Sequence, residues 1–218
     1  MWLPGALGVY RPQQDTALLV DAMLGAPLPP GAHVLDVGTG SGALAQAAAD
    51  AGAAEVTAID VSWRAVAMAF VNTRLRGRPV RVRRGDFRKS LRGRHFDVVL
   101  ANPPYVPCGH GAPGRHDSAR AWDAGDDGRA LIDPLCDRAP GLLSPKGMML
   151  MVHSALCGTE TTLRRLRNSG LKAAVIARQR CPFGPVMRGR SDWLERQGLI
   201  EPGQRDEELV VIRADRPR

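Results

Sequence analysis

Apolar residues in this chain fall into short runs divided by glycine, proline and polar turns, and two spacings alternate along it. His33-Val-Leu-Asp-Val37, Glu55-Val-Thr-Ala-Ile-Asp60, Phe96-Asp-Val-Val-Leu-Ala101 and Met148 to His153 are compact and of strand length. Their near-continuous apolar character suits parallel strands buried on both faces. Between them lie stretches with helical spacing: Thr16 to Leu24, Ser41 to Ala49, a helix from a Ser62 cap to about Leu75, Arg129 to Arg138, and Thr159 to Ser169 with Gly170 as its stop. Val80-Arg-Val-Arg83 alternates like a strand with one wet face, residues 107–127 read as a loop, and Ala173 to Arg178 and Glu208 to Arg213 are the final strands. Strands and helices in alternation predict an α/β, Rossmann-like, doubly wound sheet of seven strands.

A length of 218 residues suits a single domain over residues 1–218. The chain has no apolar run of about eighteen residues, so no membrane span is expected. The start of the chain shows no basic-then-apolar leader pattern, which points to a cytoplasmic location. Cys108, Cys136, Cys157 and Cys181 lie far apart without CxxC spacing, so reduced packing thiols are expected and no metal site. The net charge of +8 rests on arginine, which supplies 27 of the 30 basic residues. Apart from the segment between Arg74 and Arg94 these arginines are dispersed, which makes a nucleic-acid surface a weaker expectation than a protein or small-molecule partner.

Chemistry concentrates where strands end. Two consecutive prolines cannot continue a ladder, so the chain must leave the sheet at Asn102-Pro103-Pro104-Tyr105. The exit exposes a side-chain amide and backbone carbonyls, acceptors able to hold an NH2 group, with an aromatic ring beside them. A strand simply stopped by prolines is the plain alternative. Val34-Leu-Asp-Val-Gly-Thr-Gly-Ser-Gly42 is a strand running through a glycine turn into a helix, where Gly38 and Gly40 allow a ligand to approach the backbone. Gly38, Gly40 and Ala43 also fit the loose dinucleotide pattern. Three carboxylates near strand ends, Asp36, Asp60 and Asp86, decide against a nicotinamide cofactor, because they would repel a pyrophosphate. They suit a ligand with an ammonium, a sulfonium and a ribose diol, which describes S-adenosylmethionine. Asp60 is then expected on the ribose, Asp86 and Phe87 beside the adenine, and Asp36 with the Gly38 backbone at the methionine end.

Together these residues resemble the class I S-adenosylmethionine-dependent methyltransferases. Within them, Asn102-Pro-Pro-Tyr-Val106 resembles the HemK-like protein glutamine-N5 methyltransferases, and most of all the short branch that modifies release factors in eukaryotes and archaea. Val9-Tyr-Arg-Pro-Gln-Gln-Asp-Thr16, Ala121-Trp-Asp-Ala-Gly-Asp-Asp-Gly-Arg129 and Leu142-Leu-Ser-Pro-Lys-Gly147 carry the same likeness. The resemblance implies an antiparallel last strand, Thr16 closing the cofactor site, Asn102 bordering both cofactor and acceptor, and Asn102, Pro103, Pro104 and Tyr105 as the catalytic group. It implies a protein substrate with a glutamine side chain and a monomeric enzyme. The helical domain that precedes this domain in the usual bacterial release-factor enzymes is not in this sequence.

The sequence departs from the pattern with an added stretch at about 181–204, between the last two strands. It is expected on the active-site side as a lid or selecting element. Relatives in the short branch often use a small zinc-binding activator on the edge strand, but Arg81 and Arg83 make that edge unfavourable for strand addition, so no such subunit is expected to be required. Three other readings stay open at this level: adenine-N6 methylation of RNA or DNA, small-molecule N-methylation, and a non-catalytic cofactor-binding scaffold. His110 and His116 read as loop or substrate-contact residues rather than catalysts.

Overall fold

A computed structural model describes residues 9–77, 80–109 and 122–218 of the chain. His110, His116 and Ala121 lie outside the described residues. Seven strands form one sheet in the order β3-β2-β1-β4-β5-β7-β6. They are β1 (His33–Val37), β2 (Glu55–Asp60), β3 (Val80–Arg84), β4 (Phe96–Ala101), β5 (Leu143–Ser154), β6 (Lys172–Pro182) and β7 (Asp206–Asp215). The pairs β3–β2, β2–β1, β1–β4 and β4–β5 are parallel, and β7 runs antiparallel to both β5 and β6. This is the doubly wound sheet with an antiparallel last strand that the sequence implies.

Helices cover both faces. On one, α1 (Gln14–Leu24) and α2 (Ala43–Asp50) pack Leu19, Met23, Leu44 and Ala48 on Val34, Val56, Val98 and Leu100. On the other, α5 (Ile132–Leu142) and α6 (Thr159–Asn168) bury Leu135, Leu142 and Leu163 against Leu35, Val99 and Met149. Alternate residues of each central strand thus feed separate cores, the two-sided burial that continuous apolar runs signal. α3 (Trp63–Arg74) follows β2, and Ser62 caps it by accepting from the Ala65 N–H at 3.4 Å. α4 (Phe87–Ser90) is a single turn after β3.

Several boundaries differ from the sequence reading, each for a local reason. α5 starts at Ile132 rather than Arg129, because Arg129 is held in the preceding turn by its own side chain. β5 begins at Leu143, five residues early, with a register shift that lets Leu143 pair with Phe96 before the ladder resumes at Met148. β6 and β7 extend each other from Lys172↔Asp215 to Pro182↔Asp206. Arg178–Glu208 and Arg180–Asp206 ion pairs accompany the polar end of that hairpin. The added stretch therefore begins at Phe183 and closes at Arg205, slightly inside and beyond the expected bounds. It contains α7 (Pro185–Gly189) and α8 (Ser191–Arg196).

His153 on β5 is fully buried opposite Val210, with Nδ1 on the Ser154 carbonyl at 2.8 Å and Nε2 unpaired among the described residues. Burial brings its pKa down from 6.5 to about 4, with the Arg129 charge adding to the effect. An unfolded chain therefore takes up a proton in acid that the folded chain refuses. This contribution to stability is complete above about pH 6.5 and is lost as the pH falls towards 4. Linkage sets the loss at about 2 kcal/mol by pH 5. In urea melts from pH 7 to 5, His153→Leu should lose stability less steeply than the wild type; equal slopes would contradict the assignment.

Candidate active site

The carboxyl ends of the parallel strands share one edge of the sheet, and the loops leaving them surround a cavity of about 700 Å³. That size lies in the range of small-molecule sites. At its centre the β1–α2 turn folds back on β2: the Gly38 and Thr39 N–H groups both donate to the Ile59 carbonyl, at 2.9 and 3.1 Å. Gly38 has φ +70 and no atom within 4 Å of where a Cβ would stand, so its backbone faces open space in the cavity wall.

Asp36 is 0% exposed and is not part of that wall. Its Oδ2 accepts from the Thr39 hydroxyl at 2.6 Å and the Ala45 N–H at 3.0 Å, fastening the glycine turn to the first turn of α2, while Oδ1 is unpaired among the described residues. Burial pushes its carboxyl up to about 7. The expected direct contact of Asp36 with a ligand is therefore corrected: the structure places it behind the turn that it holds.

Asp60 does line the cavity. Its Oδ2 accepts from the Gly40 N–H at 3.0 Å and its Oδ1 from the Ser62 N–H at 2.8 Å, which fixes the carboxylate and leaves one further lone pair on each oxygen. Burial raises its pKa. Asp86 caps α4 and is clamped by the Arg88 guanidinium at 2.6 Å, which holds its carboxyl below the ordinary range. Phe87 beside it is buried and forms part of the same wall.

β4 ends at Ala101, and Asn102 to Tyr105 pass along the cavity. The Asn102 side chain reaches across to α1, where Nδ2 donates to Thr16 Oγ1 at 3.3 Å. With the nitrogen committed to Thr16, the side-chain oxygen is the end left for an incoming N–H. The Tyr105 hydroxyl donates to Asp15 Oδ2 at 3.1 Å, and the Tyr10 hydroxyl donates to the same carboxylate at 2.6 Å. Segment 9–16 is thereby tied to the β4 exit through Asp15 and Thr16.

The loop after Tyr105 is braced from behind. Val106 exchanges backbone bonds with Trp122 and Ala124, and Cys108 donates to the Gly125 carbonyl at 2.9 Å. Gly128 sits at φ +76, where a Cβ would come within 2.5 Å of the Tyr105 carbonyl oxygen and 2.7 Å of Cys157 Sγ. Only glycine fits this close approach. Arg129, buried, bridges Asp133, the Cys157 and Gly158 carbonyls and the Thr162 hydroxyl. Above, the added stretch contributes Phe183, Met187, Leu194 and Ile200 to a small core around Val106. Arg190 pins it by donating to the Pro107 carbonyl at 3.0 Å and to the Asp123 carboxylate.

Thus Thr16, Gly38, Gly40, Asp60, Asp86, Phe87, Asn102, Pro103, Pro104 and Tyr105 meet at one cavity, and Asp36 stands behind it. Among the polar members of the wall that sequence reading passed over are Tyr10, Asp15 and Glu207. Asp15 reads as an ordinary acid in a helix's first turn. Glu207 lies within the run Asp206-Glu-Glu208, but strand alternation places it on the same side as Leu209, and that period is the signal that could have found it. Among the described residues no group of three or more His, Cys, Asp or Glu is placed to hold a metal, and the four cysteines are buried and outside any disulfide. No helix among them is long and apolar enough to cross a membrane.

Residues 2–112 match the methyltransferase small domain family. A protein of Methanocaldococcus jannaschii, provisionally named a protein N5-glutamine methyltransferase, is 30% identical over 82% of this chain and 89% of its own length. The release factor glutamine methyltransferase of Shewanella oneidensis is 36% identical over 65% of this chain, which spans 52% of that enzyme. Among solved structures, the E. cuniculi Mtq2–Trm112 complex, described as responsible for methylating the termination factor eRF1, superposes with a TM-score of 0.64. The match is at 21% identity over 96% of this chain and 99% of the other, a likeness of fold. On the strength of the family match and the archaeal relative, the chain belongs to the methyltransferase small domain family and is a class I S-adenosylmethionine-dependent methyltransferase.

Proposed function

We propose that this methyltransferase acts on the side-chain amide nitrogen of a glutamine in a release-factor-like protein. The observation that carries the reading is the fixed Asn102 amide at the β4 exit, its nitrogen on Thr16 and its oxygen without a hydrogen bond among the described residues. The names of the archaeal and bacterial relatives point the same way.

Bound S-adenosylmethionine supplies an electrophilic methyl group on a sulfonium. The residues present fit that molecule. Asp60, with a lone pair to spare on each oxygen, would take the ribose diol; the bare Gly38–Gly40 backbone would lie along the methionine portion, and Phe87 would flank the adenine. Asp86, already clamped by Arg88, would contribute more through shape than through a free charge, and Asp36 would act through the turn that it secures. An amide nitrogen is a poor nucleophile because its lone pair is delocalised into the carbonyl. Asn102 Oδ1 and the Pro103 carbonyl would accept the two amide hydrogens and aim that lone pair. Such positioning can supply several kcal/mol, on the order of 7–11 in favourable cases. Tyr105, tethered to Asp15, would present its ring to the amide plane, and water would take the proton lost afterwards. Asn102→Ala should lower methyl transfer on the order of a hundredfold or more while the Kd for S-adenosylmethionine stays within a few fold. Retained turnover would exclude the role given to Asn102.

The added stretch would act as a lid on the acceptor side, since Phe183 to Arg188 line the cavity and Arg190 ties them to the loop after Tyr105. Arg190→Ala should raise the acceptor KM several-fold with an unaltered S-adenosylmethionine Kd. An acceptor KM equal to that of the wild type would remove the lid from the account.

The edge strand supports a chain that is stable alone. β3 carries Arg81, Arg83 and Arg84, and Arg81 pairs with Glu55 at 3.2 Å. Beside it α3 exposes Trp63 and Phe70, and Arg64 and Arg74 lie over their rings at 5.6 and 5.2 Å. Expressed without any second subunit, the chain should be a soluble monomer that binds S-adenosylmethionine. Insolubility cured only by co-expressing a small zinc-binding protein would refute this.

A further inference from the structure

Sheet order divides the cavity into two halves. β1, β2 and β3, which carry the glycine turn, Asp60, and the way to Asp86 and Phe87, lie on one side of β4, and β5, β7 and β6 lie on the other. The residues suited to the nucleotide all occupy the first half, so the methyl acceptor has the second, beyond Asn102. One polar side chain there is only partly engaged. Glu207, the second residue of β7, lines the cavity and is 6% exposed, and its Oε2 has no hydrogen-bond partner among the described residues. Native proteins retain few buried polar atoms in that condition, and each calls for an explanation.

Its surroundings narrow the explanation. Glu207 faces Cys181 across the β6–β7 ladder, and Asp15 and Tyr105 are close enough to interact with it electrostatically. The other acids of this half are already engaged: Asp15 by the Tyr10 and Tyr105 hydroxyls, Asp123 by Arg190. Burial pushes the Glu207 carboxyl up, a hydrogen bond with the Ser154 side chain opposes the shift, and the charge of Asp15 adds to it. When protonated, such a carboxyl offers one O–H donor and one carbonyl acceptor.

We infer that Glu207 is an acceptor-binding residue, whose carboxyl hydrogen-bonds the uncharged carboxamide of the methyl acceptor. The inference rests on the amide-methylation reading given above. A primary amide presents a carbonyl and N–H groups. Asn102 Oδ1 and the Pro103 carbonyl would take the N–H groups, and Glu207 would donate to the carbonyl.

The test uses the full chain, methyl-labelled S-adenosylmethionine and a purified release factor. Glu207→Ala should raise the KM for the release factor on the order of ten- to a hundredfold, with the S-adenosylmethionine Kd unchanged. Glu207→Gln, which keeps a donor and an acceptor, should hold KM within about threefold. An Ala variant with the wild-type KM, or a Gln variant as impaired as Ala, would overturn the inference while leaving glutamine methylation intact. A wild-type enzyme that labels nucleic acid and leaves the release factor untouched would instead overturn the amide reading, and this inference with it.

Discussion

Prolines 103 and 104 cannot donate to a ladder, and they follow a strand that is paired on both sides, so the chain has to leave the sheet at one fixed point. That point lies at the carboxyl edge, where the β1 turn and the end of β2 also open, so backbone carbonyls and the Asn102 amide face the cavity instead of a neighbouring strand. A short irregular segment at such a place would be mobile if nothing else held it. Here three separate parts of the chain hold it: α1 through Asp15 and Thr16, the loop 122–129 through the backbone of Val106 and the close approach at Gly128, and the added stretch through Arg190. Each contact is modest, and their convergence on one exit is what preorganises it.

Charge in the molecule is distributed against its own total. The chain is basic overall, yet the cavity is lined by Asp15, Asp60, Asp86, Asp123 and Glu207, and two of the arginines near it, Arg88 and Arg190, are engaged by Asp86 and Asp123. Such a wall accommodates a sulfonium and an ammonium, and it discourages a polyanionic substrate from entering at the same edge. Net charge, a whole-chain quantity, carries information on solubility and encounter; the site is described by where the individual groups are desolvated.

How much could be read from the sequence follows from how local each signal is. β1, β2 and β4 have the bounds that their apolar runs give, because burial on both faces leaves a continuous mark. β6 and β7 run longer than expected, because Arg178, Arg180, Asp206 and Glu208 are polar residues stabilised in strand form by their cross-strand partners, which no single run reveals. The glycine turn, Asp60 and Asn102 were visible from spacing alone. Asp36 was visible too, but its role differs: only the fold shows that its carboxylate is turned beneath the glycine turn towards Ala45. Asp15 and Glu207 acquire meaning through Tyr105, many residues from either, and a polar residue whose partner lies across the fold reads as surface until the fold is known.

The atom that receives the methyl group can be identified from the chemistry of the label. After reaction with methyl-labelled S-adenosylmethionine and a release factor, acid hydrolysis of the product should free the label as volatile methylamine and leave glutamate at the modified position, as an N-methyl amide requires. Label recovered in N6-methyladenine, or in an amino acid that survives the hydrolysis with its methyl group, would contradict the account.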